Sequence, residues 1–200
     1  MANVLTDRLP CELCGVPVET GFRAWLQYEA LLLDSSKTAD QIIAGLNALV
    51  YRGKMPADKA EAVRAATDFY LCGKPQERRK NGHRAAKRAY DIDVDAPLFL
   101  AAFQQVYGID LSTCELHWWK FRSMLSGLPE ECQLSKVISY RTVDLSKVPK
   151  EKRKFYTEMQ KRYALNPIRQ HTAKPATLAE RDAAYLAKMN AKYQEAVNHG

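Results

Sequence analysis

The sequence predicts a mainly helical fold, a multi-helix, bundle-like domain with a small antiparallel β element at its N-terminal end. Three observations predict it. Apolar residues recur at helical spacing in several separate stretches, capping-box pairs recur in front of them, and two short extended pieces pivot near Gly15.

The extended pieces, Cys11 to Leu13 and Val16 to Val18, read as a hairpin. From Phe22 the period turns helical, with Phe22, Trp25, Leu26, Leu32 and Leu33 on one side and a stop before Asp34. Thr38 and Gln41 have capping-box spacing, and Ile42, Ile43, Leu46, Leu49 and Val50 form the apolar stripe of a second helix. Pro56 suits the first turn of a third helix running to about Cys72, with Gly73 as its left-handed stop. Tyr90 to Val94 alternates apolar and acidic residues and is expected to add a strand to the hairpin. Asp95 is expected to cap a helix through Phe99, Phe103, Val106 and Tyr107 to the stop at Gly108.

Ser112 and Glu115 again have capping-box spacing, ahead of Leu116, Trp118, Trp119, Phe121, Met124 and Leu125. Apolar residues on more than one face predict a helix buried between neighbours. Leu134, Val137, Ile138 and Val143 suggest a further short helix, and Pro149 opens a charged one with Phe155, Tyr156, Met159 and Tyr163 on one side. The organisation read from this pass is a helical core domain over residues 1–165, a two-proline linker over 166–176, and a C-terminal amphipathic helix over 177–200. Thr177 and Glu180 supply the cap of that last helix. Tyr185, Leu186, Met189 and Tyr193 are its candidate partner-binding residues, with docking back onto the core, self-association and partner contact all open.

The chain's 200 residues fit one compact domain with room for an appendage. With 46% hydrophobic and 26% charged residues it falls outside the disordered, collagenous and disulfide-rich classes. No run of eighteen apolar residues occurs, and Asp7 and Arg8 stand where a signal peptide needs an apolar stretch, so a protein that neither spans a membrane nor is secreted is expected. Five cysteines, an odd number, do not form a disulfide framework and suit a reducing cytoplasm.

The net charge of +7 is unevenly placed. Residues 1–72 carry net −2 and residues 91–148 net −3, whereas residues 73–90 and 149–200 carry +6 each. The pattern is that of a neutral-to-acidic core, a basic loop and a basic tail. No aromatic residue interleaves the cations of Lys74 to Arg88, which weighs against a nucleic-acid groove there.

Catalytic signatures are missing: no GxSxG, HExxH, P-loop or dinucleotide fingerprint occurs, so no catalytic residues are assigned and a non-enzyme is expected. Cys11 and Cys14, taken with Cys114 and His117, have the internal spacing of two zinc-ligand pairs. Ninety-nine residues separate the pairs, far beyond the usual ligand gap, so no metal and no cofactor is expected. His117, at the start of an aromatic helix, reads as a packed, hydrogen-bonded residue.

The strings LTDRLP at Leu5 to Pro10, FRAWLQYEALLLD at Phe22 to Asp34, FYLCGK at Phe69 to Lys74, AAFQQVYGIDL at Ala101 to Leu111, LHWWKFRSMLSGLPE at Leu116 to Glu130 and SKVISYRTVDLSKV at Ser135 to Val148 resemble the bacteriophage gene-product-fifteen family, in order and spacing. The resemblance spans about Leu5 to Leu165. The chain departs from the family pattern in its cysteine-containing hairpin and in the extension past Leu165. The resemblance implies a tail assembly chaperone of a long-tailed phage, acting in the host cytoplasm on the tape measure and tail tube proteins and absent from the finished virion. It brings no catalytic residues. A structural component retained in the tail or baseplate is the alternative, and a nucleic-acid-binding protein a third reading.

Overall fold

The computed structural model describes residues 4–34, 36–74 and 88–165. Among them are two short strands and seven helices. The expected linker, the C-terminal helix and most of the basic loop lie outside the described residues.

Strands β1 (Glu12–Leu13) and β2 (Val16–Pro17) pair antiparallel, with Glu12 opposite Pro17 and Leu13 opposite Val16. Cys14 (φ 52°) and Gly15 (φ 72°) both take the left-handed region, which the tightest hairpin turn requires at its two central positions. Leu13 and Val18 turn inward onto the core. Beyond the hairpin the chain is stitched across the domain: Phe22 N–H donates to Leu116 C=O at 2.9 Å and Trp118 N–H to Thr20 C=O at 2.7 Å. These bonds join the N-termini of α1 (Phe22–Leu33) and α5 (Trp118–Ser126).

Helix α2 (Ala39–Leu49) opens on the expected capping box, with Gln41 N–H bonded to Thr38 Oγ1 at 3.3 Å and Thr38 N–H to Gln41 Oε1 at 3.0 Å. Helix α3 (Lys59–Tyr70) starts later than Pro56 suggested, because Asp58 accepts the Ala60 and Glu61 amides and is the true cap. It ends at Tyr70, before Cys72 and Gly73 turn left-handed.

Two expectations fail together at α4 (Ile92–Tyr107). Tyr90 to Val94 adds no strand, because Ile92 already begins the helix, and the cap is Asp91, which accepts the Asp93 and Val94 amides. Three carboxylates in sequence, Asp91, Asp93 and Asp95, favour the positive end of a helix over an extended run. Gly108 (φ 67°) ends α4 as expected, Ile109 N–H reaching back to Phe103 C=O at 3.3 Å.

Ser112 does not cap α5. Its amide and hydroxyl are taken by Asp110 Oδ1, at 2.8 and 2.6 Å, and the cap falls to His117, leaving Leu116 outside the helix. Helices α6 (Gln133–Thr142) and α7 (Lys150–Arg162) follow, with Pro149 immediately before α7.

The core is aromatic. Trp25 stacks on Phe69 with centroids 4.5 Å apart, and Phe121 lies against Phe22 at 4.9 Å, Phe103 at 5.3 Å and Trp118 at 5.8 Å. Trp118, Trp119, Phe103 and Leu46 are all buried, as expected. Each core indole N–H finds a carbonyl: Trp25 donates to Glu19 at 2.8 Å, Trp118 to Tyr70 at 3.0 Å and Trp119 to Phe69 at 2.8 Å. The buried indoles thus carry their full apolar area inward with no unpaired donor.

Candidate functional site

Helix α1 separates two apolar grooves. Residues two apart on a helix point about 200° from each other, so Leu26 and Tyr28 face opposite sides. On one side Leu26, Ile92, Ala96, Phe99, Leu100 and Leu111 line a cavity of ≈ 430 Å³, with Phe22 and Phe121 also in its wall. On the other side Tyr28, Leu32, Ile42, Ile43, Val63 and Leu71 line one of ≈ 470 Å³ between α1, α2 and α3. Leu100 and Leu32 are the exposed apolar members, at 41% and 43% exposure.

Polar groups frame these walls. Arg23 Nη2 donates to Leu111 C=O at 2.8 Å and Ser112 C=O at 3.0 Å, fixing the loop ahead of α5 beside the first groove. Near the second, Tyr70 donates its hydroxyl hydrogen to Glu29, and Tyr90 lies 2.9 and 3.1 Å from the two oxygens of the same carboxylate. The Arg122 guanidinium lies over the Trp118 and Tyr70 rings, 5.4 and 5.9 Å from their centroids. Burial and the neighbouring Glu29 charge push both phenols far above their usual range, so both stay protonated donors.

Deeper in, Asp95 and Arg141 are buried together. Arg141 Nη1 and Nη2 meet the two carboxylate oxygens at 2.5 and 2.9 Å, and Nε donates to Tyr163 C=O at 2.7 Å. The fork fastens α4, α6 and the end of α7 to one another. Asp95 thus has a structural office in place of the expected cap. Residues 46 positions apart in the chain leave no periodic signal for such a pair, and the same holds for Glu29 with its two tyrosines.

His117 is a packed residue, as read. Nδ1 accepts the Trp119 amide at 3.1 Å, which puts the ring proton on Nε2, 3.1 Å from Pro10 C=O. Burial holds its pKa below the ordinary value, keeping the ring neutral at neutral pH. Both nitrogens are therefore occupied by backbone.

The cysteine pattern does not assemble. Cys11 precedes β1 and Cys14 stands in the turn after it at φ 52°, both exposed, whereas Cys114 is half-buried and both ring nitrogens of His117 are taken by backbone. Among the described residues no group of three or more His, Cys, Asp and Glu is disposed to hold a metal ion. Tyr185, Leu186, Met189 and Tyr193 lie outside the described residues, as do residues 75–87 of the basic loop. No helix among the described residues is long and apolar enough to cross a membrane.

Fold and grooves define a class: a small helical domain, packed around an aromatic core, that presents apolar clefts on both sides of one helix. The particular family follows from comparison. The chain belongs to the family described as Bacteriophage Gp15 protein, whose family model matches residues 5–165, and is thereby a phage structural or morphogenesis protein. No curated relative and no solved structure matches it.

Proposed function

We propose that this protein is a non-enzymatic tail assembly chaperone. It holds the tape measure protein soluble in the host cytoplasm, helps recruit tail tube subunits, and is left out of the finished virion. The observation that carries the reading is the pair of apolar grooves on α1 in a chain of this phage family. A long helix with an apolar stripe aggregates when unpartnered, and a hydrophobic groove is the standard receptor for such a stripe. Leu32 and Leu100 stand at the groove mouths, where a ligand reaches them without unfolding the domain.

The test is co-expression with the tape measure protein of the same phage. A raised soluble fraction is expected, lost when Leu32→Glu and Leu100→Glu are combined. Deletion of residues 176–200 forms the second arm: loss of solubilisation there alone moves the contact to Tyr185, Leu186, Met189 and Tyr193. Mass spectrometry of purified virions against infected lysate decides retention. Stoichiometric presence in virions would replace the chaperone with a structural tail or baseplate component.

A further inference from the structure

Helix α7 differs from the six others among the described residues in burying none of its own. It is tied to the body by polar bonds, Gln160 to Val143 C=O at 2.9 Å and Arg141 to Tyr163 C=O at 2.7 Å, and by rings around Tyr140. At 100° per residue, Lys150, Lys154 and Lys161 fall within an arc of about 40° along about 16 Å of helix. All three are exposed, and no ion pair or side-chain hydrogen bond joins any of them to another described residue. Glu151 and Glu158, seven residues apart, form a second row beside them, exposed Arg162 borders that row on its far side, and Phe155 stands 48% exposed beyond it.

We infer that this face of α7 docks an amphipathic helix whose acidic residues repeat in the same 0, 4, 11 register, with an aliphatic flank against Phe155. The inference rests on the proposed role as holder of a helical phage protein and names the chemistry of what is held. Charge complementarity selects a helix over nucleic acid. A phosphate backbone is uniformly negative and is repelled by Glu151 and Glu158, whereas a helix can oppose that row with cations of its own.

The test uses the full chain and two fluorescein-labelled helical peptides of equal Glu, Leu, Lys and Ala content, one with Glu in the 0, 4, 11 register and one with Glu scattered. Oligothymidylate serves as the phosphate probe. Anisotropy at low salt is expected to show the registered peptide binding about tenfold tighter than the scattered one, weakening as the Debye length shrinks. Lys150→Glu, Lys154→Glu and Lys161→Glu together are expected to cost at least about tenfold in affinity. The Gln triple serves in their place if circular dichroism shows that the Glu triple has not folded. Equal binding of the two peptides, undiminished binding by the folded triple variant, or tighter binding of oligothymidylate overturns the inference. Registered-peptide binding without tape measure solubilisation sinks the chaperone reading alone. Solubilisation that survives in the triple variant, with the two peptides bound equally, sinks only the α7 inference.

Discussion

The Tyr90 hydroxyl sits 2.9 and 3.1 Å from the two carboxylate oxygens of Glu29, 61 residues earlier in the chain. Tyr70 donates to the same carboxylate, so one side chain of α1 holds both the end of α3 and the approach to α4. Glu29→Ala leaves two partly buried phenols without their acceptor and is expected to cost about 1–3 kcal/mol by urea unfolding. A double-mutant cycle with Tyr90→Phe should return a coupling of at least about 0.5 kcal/mol. Additivity of the two changes would show the contact to be energetically idle.

Asp95 and Arg141 set up a sharper contrast between single and double changes. Removing either alone strands a buried charge and is expected to cost about 3–5 kcal/mol. Asp95→Leu with Arg141→Met removes both charges together and should recover most of that loss, because desolvating the pair offsets much of its attraction. The check is equilibrium denaturation of the three variants. A double variant as unstable as the worse single one would mean that the backbone bonds of the two side chains, Arg141 to Tyr163 and Ala89 C=O and Asp91 N–H to Asp95, and not the ion pair, carry the stability.

Alkaline stability is expected to track Tyr51, whose hydroxyl donates to Ala62 C=O at 2.8 Å in the core. Burial, helped by the nearby Cys14, pushes its pKa from 10.0 up to about 12. The unfolded phenol loses its proton first, so the stabilisation is full below pH 10 and drains away as pH rises toward about 12. The stability gap between wild type and Tyr51→Phe should therefore narrow over that window. A gap constant from pH 9 to 11.5, measured by urea midpoints, would contradict the burial of a titrating phenol.

Acid stability has a separate source in His117. Its folded pKa lies below the ordinary 6.5, so the unfolded state takes up a proton that the folded state refuses, and stability falls as pH drops through 6.5. His117→Asn keeps a good helix cap and is expected to be less stable at pH 7 yet flatter between pH 7 and 5. Parallel pH profiles for the two proteins would remove His117 as the cause.

Much of this architecture was legible because its signals are local. Thr38 with Gln41 and Gly108 after Tyr107 act within a few residues and landed where the pattern placed them, and the two-faced apolar run from Leu116 buries Trp118, Trp119 and Phe121 although its helix starts only at Trp118. The misplaced starts share one physical reason. A capping residue is chosen by which oxygen is free to meet the first amides, and spacing does not say so: Asp110 occupies Ser112, and Asp58 outcompetes the Pro56 start. The site was less legible than the fold, since grooves arise between helices, and no property of Leu32 or Leu100 alone shows that its neighbours leave it uncovered.

Gly45 and Leu31 provide the last expectation, in which two known effects oppose each other. In the middle of an exposed helix, Gly→Ala stabilises by about 1 kcal/mol through backbone entropy. Here α1 lies so close that a Cβ on Gly45 would sit 2.4 Å from Leu31 Cδ1, well inside contact distance. That atom is the tip of a flexible, half-buried side chain, so Leu31 can swing away at the expense of its rotamer and packing, a cost of about 1–3 kcal/mol for overpacking. Gly45→Ala in the wild type is therefore expected to be neutral to destabilising by up to about 2 kcal/mol, the difference of the two terms. In a Leu31→Ala background the clash is gone while the entropy gain remains, so the same substitution should stabilise by about 1 kcal/mol. Thermal or urea unfolding of the four proteins reads the reversal of sign directly. A Gly45→Ala effect of the same sign and size in both backgrounds would mean that α1 and α2 do not approach as closely as their side chains indicate.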